Sequence, residues 1–248
     1  NNRTAEELYR GLDTVFRHYN AAGYNVSVIH CDQEFRSLMD SVADDLNVKM
    51  NYASSGEHVP EAERNNRTIK DRIRTTYHQL PYQRVPKLMI KKLVLHATKM
   101  LNLLPVKGGI SSYLSPYTIV TRRVVDYDRE LATSFGAYVQ ANQDNTPTNT
   151  NLPRTLDCVF LSSTSGKQIG FEVLNLATGQ VITRPKVREL PITDLIIDAV
   201  EQLAERDGIK TMKFSTANGL PFEDPAWIGG VDDDDESENS ETDTTNDT

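Results

Sequence analysis

The chain has 248 residues, 38% apolar and 25% charged, which is enough to bury one large core or two small ones. No run is long and apolar enough to cross a membrane and no signal peptide opens it; the two distant cysteines exclude a disulfide scaffold and a cysteine-based metal site. The net charge of −8 is uneven: nine acids lie between Asp232 and Thr248, and setting them aside leaves +1. Between Arg64 and Lys107 there are eleven Lys or Arg against one acid, Asp71. Such a block points to an anionic partner such as nucleic acid, or else to the solvated faces of two helices. A chain that begins at Asn1 rather than Met is expected to be a piece of something longer.

In chain order, Thr4-Ala5-Glu6-Glu7 is a capping box, and Leu8, Leu12, Val15, Phe16 and Tyr19 form one face of the helix it opens. Val26 to Cys31 is a short β-branched run ending at Asp32, and reads as a buried strand. Phe35, Leu38, Met39, Val42 and Leu46 mark a second amphipathic helix, and Val48, Met50 and Tyr52 alternate as a strand. This rhythm is that of an α/β layer. A polar loop, 54–58, precedes a basic helix in which Glu63, Arg67, Lys70 and Arg74 follow one another at steps of four, three and four. At 3.6 residues per turn these four make one stripe. Ala62, Ile69, Ile73, Tyr77 and Leu80 should pack that helix on the sheet.

Pro86 suits the first turn of a further helix carrying Leu88, Met89, Leu93, Val94, Ala97, Met100, Leu101 and Leu104. A short segment, Ser115 to Val120, follows Gly108-Gly109. From Phe135 the period becomes alternating: 135–141, 155–161, 169–174 and 181–184 read as short strands of a small β-barrel. Ile192, Leu195, Ile196, Val200 and Leu203 form a helix that stops at Gly208. Asn218-Gly219 has the chemistry of a hairpin turn, and the acidic tail is expected to be disordered.

An acid at the carboxyl end of a strand lies where α/β proteins usually place their chemistry. Asp32 there, facing a Glu63 that heads a row of cations, suggests a metal held against a phosphate backbone. Singly, Asp32 is equally a turn or cap residue, and Glu63 a first-turn acid favoured by the helix dipole. Glu57 and Glu61 compete with Glu63, although Glu61 points away from the stripe. His30 and His58 read as strand-edge and loop residues rather than ligands.

His30-Cys31-Asp32-Gln33-Glu34-Phe35, Ala62-Glu63-Arg64-Asn65-Asn66-Arg67-Thr68 and Ser115-Pro116-Tyr117 together resemble the integrase region of copia-type retrotransposon polyproteins. Phe135-Gly136, Cys158-Val159-Phe160-Leu161, Gly170-Phe171 and Thr178-Gly179 are similar to the SH3-like barrel that follows that family's ribonuclease-H-like core. The ordered set covers most of Thr4 to Leu190. The chain departs from the pattern in a shorter interval from Asp32 to Glu63, and in Glu57-His58-Val59-Pro60 where the family commonly has Gln-Asn-Gly.

The resemblance implies an α/β (α+β) protein: the C-terminal part of the catalytic core over 1–121, a linker over 122–134, and the barrel over 135–190. A helix-and-hairpin extension over 191–231 and the acidic linker over 232–248 would follow. It implies that Asp32 and Glu63 are the second and third carboxylates of an acidic triad whose first Asp lies upstream. They would hold Mg²⁺ (or Mn²⁺), hard ions suited to oxygen ligands, for DNA strand transfer. Arg64, Arg67, Lys70 and Arg74 would contact DNA, with Arg184, Lys186 and Arg188 of the barrel as further candidates. The implied partners are element and target DNA, other integrase protomers and the reverse transcriptase region of the same polyprotein, with no membrane. The implied location is intracellular, in a cytoplasmic particle and the nucleus. Without the first Asp the chain alone is expected to be inactive. The alternatives are a catalytically dead nucleic-acid-binding or assembly relic, and a soluble α/β domain whose basic helix carries no function. The tail is expected to act as a flexible tether to the reverse transcriptase, or else to cover the basic block.

Overall fold

A computed structural model describes residues 4–31, 33–52, 60–143, 151, 153–164 and 170–209. Helix α1 (Ala5–Ala21) is capped by Thr4, whose Oγ1 accepts the Glu7 N–H at 3.3 Å. Pairs four residues apart, Glu6–Arg10 at 3.0 Å and Asp13–Arg17 at 2.8 Å, line its solvent side. Strand β1 (Val28–Cys31) runs through a 3-10 segment (Gln33–Leu38) into α2 (Met39–Leu46), and β2 (Lys49–Tyr52) returns parallel to β1. Leu38, Val42 and Val48 are the buried centre of this layer, with Leu8, Tyr9, Leu12 and Phe16 of α1 laid over them. The expected α1 face is therefore one turn too long. Val15 is 54% exposed, and Tyr19 turns instead onto Tyr24, edge to face at 6.1 Å.

Helix α3 (Pro60–His78) leads through Tyr82 and Val85 to α4 (Lys87–Leu103). Two short helices follow, α5 (Pro116–Thr121) and α6 (Tyr127–Glu130). Ser115 starts α5 by accepting the Thr118 N–H at 3.1 Å, with Pro116 in the first turn where its missing N–H costs nothing. Five antiparallel strands come next: β3 (Tyr138–Asn142), β4 (Thr155–Ser163), β5 (Phe171–Asn175), β6 (Val181–Arg184) and β7 (Val187–Glu189). Helix α7 (Asp194–Arg206) ends the described chain. The protein is thus mixed α/β, and no described helix is long and apolar enough to cross a membrane.

The order of the five strands, β6-β5-β4-β3-β7, puts β6 and β7 at opposite edges. Yet only Pro185 and Lys186 separate them in sequence. A flat sheet would hold those edges about 19 Å apart, four spacings of about 4.8 Å. Three Cα steps of about 3.8 Å reach no more than about 11 Å, so the sheet has to roll up on itself. Inside the roll lie Val139, Ala141, Cys158, Phe160 and Val173, joined by Leu156, Phe171, Ile182 and Val187, so that every strand contributes. A register shift between Phe160 and Ser162 bends β4 where the roll tightens.

The outer face of the same sheet is covered by helices. Val159, Leu161 and Leu174 meet Met89 and Leu93 of α4, Val200 and Leu203 of α7, and Tyr77 of α3. Ile73 and Leu80 pack on this cluster too. The expectation that α3 packs on the small parallel sheet is therefore corrected. That sheet is already covered by α1 and α2, and no described residue of α3 belongs to its core. Residues on both sides of the expected 122–134 linker share one core, and within that stretch Asp126 caps α6 by accepting the Arg129 N–H at 3.2 Å.

The expected strands and the C-terminal helix agree with the structure to within a few residues, but β7, short and bearing exposed Arg188 and Glu189, was not foreseen. The 163–166 turn is described only in part, and the 218–219 hairpin and the acidic tail lie outside the described residues.

Gly136 joins the helical layer to the rolled sheet. Its φ is +86°, a Cβ there would lie 2.3 Å from Leu80 Cδ2, and its carbonyl accepts the buried Tyr82 hydroxyl at 2.8 Å. Gly136→Ala is expected to destabilise the protein by about 1–3 kcal/mol, from left-handed strain plus overpacking. A melting curve unchanged from the parent would refute this role.

Candidate functional site

Parallel pairing matches Cys31 with Tyr52, so β1 and β2 both end at the same edge of their sheet. Asp32 is the next residue after Cys31, and the segment that follows Tyr52 enters α3 at Pro60. Asp32 itself lies outside the described residues, as do Glu57 and His58, and so does the side chain of Glu61. Glu63 is exposed in the first turn of α3. His30 is held across the strands, its Nδ1 accepting from the Asn51 amide at 3.2 Å. Among the described residues no group of three or more His, Cys, Asp or Glu is placed to hold a metal. Glu63 offers the hard oxygen that Mg²⁺ accepts, and a two-carboxylate site there turns on Asp32.

The stripe on α3 keeps its helical spacing. Arg67 and Lys70 are exposed, whereas Arg74 is half-buried and pairs with Asp71 at 3.5 Å. Arg64 is exposed too, but one residue on from Glu63 it is turned about 100° from the stripe. From Arg67 to Arg74 the stripe covers about 10 Å of helix axis, roughly the rise of three nucleotides along one strand. On the rolled sheet Lys186 and Arg188 are exposed, while Arg184 is half-buried and donates to the Thr183 carbonyl at 2.9 Å.

Three cations of the basic block are paired with distant acids instead. Lys92 pairs with Glu172 at 2.8 Å, Lys99 with Glu130 at 2.7 Å, and Arg84 with Glu205 at 2.6 Å. Their acidic partners follow in sequence by 31 to 121 residues, so a count within the block could not see them. Lys99 sits deepest: it also donates to Ser163 Oγ at 2.5 Å and to the Ser163 carbonyl at 2.7 Å, and Ser163 in turn donates to Glu130. One turn earlier on α4, the His96 ring tilts over Phe135 at 5.2 Å. No motif spacing signalled this polar cluster; only the fold assembles it. Both cysteines are buried thiols outside any disulfide, and burial pushes the Cys158 thiol up to about 11, so it is protonated and inert.

A scan against protein-family models and a search of curated proteins return no match for the chain.

Burial is the main cause that lowers the His96 pKa to about 4; the nearby Lys99 adds to it, against a hydrogen bond to the Leu161 carbonyl and the charge of Glu130. The unfolded chain takes up this proton near pH 6.5 and the folded one only near 4. Stability should therefore fall as pH drops through that window, by on the order of 3 kcal/mol from this group. Thermal melts of the parent and of His96→Gln at pH 7, 5.5 and 4 test it: the variant should lose most of the decline, and parallel slopes would refute the assignment.

Proposed function

We propose that the chain is the C-terminal part of an integrase of the copia retrotransposon type, acting in Mg²⁺-dependent (or Mn²⁺-dependent) DNA strand transfer within its parent protein. The observation that carries the reading is that both parallel strands end at one sheet edge, with Asp32 next in sequence after β1 and Glu63 in the first turn of α3, the helix that follows β2. On this reading the parallel layer belongs to a ribonuclease-H-like core, and the rolled five-stranded sheet is its SH3-like companion. The partners would be element and target DNA, other protomers and the reverse transcriptase region, inside the cell.

A metal bound there would polarise the phosphodiester and activate the attacking oxygen. The chain's own part is to offer Asp32 and Glu63 as oxygen ligands and to seat the DNA backbone. Arg67 and Lys70, one and two turns from Glu63, would hold the phosphates flanking the reacting bond without reading sequence. Arg64 and Arg74 are secondary contacts, one off the stripe and the other engaged by Asp71.

Calorimetric titration of the chain with Mn²⁺ tests the shared site. Binding should be lost in Asp32→Ala and equally in Glu63→Ala; binding that survives both would refute it. DNA binding retained by a chain that binds no ion would favour the catalytically dead relic. The chain alone should show no strand transfer above an Asp32→Ala control. It should bind duplex DNA without sequence preference. Arg67→Ala and Lys70→Ala should each reduce the salt dependence of that binding by about one unit of log–log slope. Affinity that ignores both salt and these substitutions would refute the interface.

A further inference from the structure

A groove of about 460 Å³ lies between α3 and the far end of α4. Met100, Leu101 and Leu104 line it, together with the exposed Arg72 and Lys107. Leu104 is 45% exposed and Val106 51%, so apolar surface is left open there. Arg72 follows Glu63 by nine residues, two and a half turns, so the groove is on the side of α3 opposite the stripe. An occupant of this groove should therefore be apolar, end in acids, and leave the stripe uncovered.

The chain carries a segment of that chemistry outside the described residues. Pro225-Ala226-Trp227-Ile228 is followed, after Gly229-Gly230-Val231, by five consecutive acids from Asp232 to Glu236. The segment can also reach the groove. The Lys87 N–H donates to the Asp207 carboxylate at 2.9 Å, which pins the end of α7 to the start of α4. Met100 is about 20 Å further along α4, and the eighteen steps from Ile209 to Trp227 span up to about 60 Å. A second groove, between α7 and the β4–β5 side of the sheet, is larger at about 680 Å³ but has Asp157 in its wall. Charge selects the first.

We propose that residues 225–231 dock in cis in the α3–α4 groove, with Trp227 on Met100, Leu101 and Leu104 and the following acids against Arg72 and Lys107. The aromatic ring supplies the buried area, and the acids supply orientation and a dependence on salt. Docking on this side anchors the root of the acidic tail on the flank of α3 opposite the stripe. This inference is independent of the strand-transfer reading, since it needs neither metal nor DNA.

Trp227 is the only tryptophan, so its fluorescence reports on the segment alone. In the intact chain its emission should be blue-shifted from that of free tryptophan amide and shielded from acrylamide. Leu104→Asp and Arg72→Glu, both at solvent-accessible positions, should each raise the quenched fraction at low salt. For Arg72→Glu the docking constant should fall about two- to fivefold, the range of an exposed ion pair. Emission like that of the free amide would overturn the proposal. So would shielding that yields to Leu195→Asp in the second groove but not to Leu104→Asp, or shielding that appears only as concentration rises, which would assign the groove to a second copy.

Discussion

Strand β4 is buried on both faces, and the rest of the molecule is arranged around that constraint. Cys158 and Phe160 point into the rolled sheet, while Val159 and Leu161 point out against α4 and α7. Each such side chain removed from water contributes about 1.5–3 kcal/mol, so the two layers are bound through one strand more firmly than through any loop. Tyr77 and Leu80 carry the end of α3 into the same cluster, and Gly136 lets Leu80 come close enough to fit. The direction in which α3 presents Glu63, Arg67 and Lys70 is thus set from its far end, by the helices that cover the rolled sheet. A row of charges on an element anchored in this way is pre-organised for a rigid partner such as a phosphate backbone.

Charge in this protein divides between holding and contacting. Lys92, Lys99 and Arg84 tie α4 and the turn before it to the sheet and α7 through ion pairs, of which those of Lys92 and Lys99 are partly buried. Removing one partner of a partly buried pair leaves an uncompensated charge in a poorly solvated place, which costs far more than the pair itself contributes. Lys99 is the extreme case, since it serves Glu130 and Ser163 at once. Arg67, Lys70 and Arg72 of α3, in contrast, are exposed on two flanks of the helix. Arg67 and Lys70 lie along one, and Arg72 lies on the other, beside an apolar groove. Surface charges of this kind add little to stability.

Signals carried by near neighbours were legible in the sequence. The Thr4 capping box, the helical periods of α2 and α4, and the alternation of β2 and β4 all depend on residues within a turn or a pleat of one another. The place of Glu63 in the first turn of a basic helix was legible for the same reason. What the sequence left open was which distant surfaces would cover a given face. Val15 and Tyr19 continue the α1 period, but the sheet beneath is too short to cover them. Arg188 and Glu189 hide β7, whose pairing with β3 is made by backbone. The basic block looked uniform because Glu130, Glu172, Glu201 and Glu205 come later in the chain.

The sequence by itself therefore determined most of the elements and their order, though not α6 or β7, since capping, periodicity and turn chemistry act over a few residues. Only the tertiary structure decided that β1 and β2 run parallel and end at one edge, that β6 and β7 border the five-stranded sheet, and that α3 is anchored to it. Only the tertiary structure sorted the cations into internal ties and surface contacts. The physical reason is common to all of these: burial and ion pairing depend on which surfaces meet, and chain segments up to 121 residues apart meet only once the fold has closed.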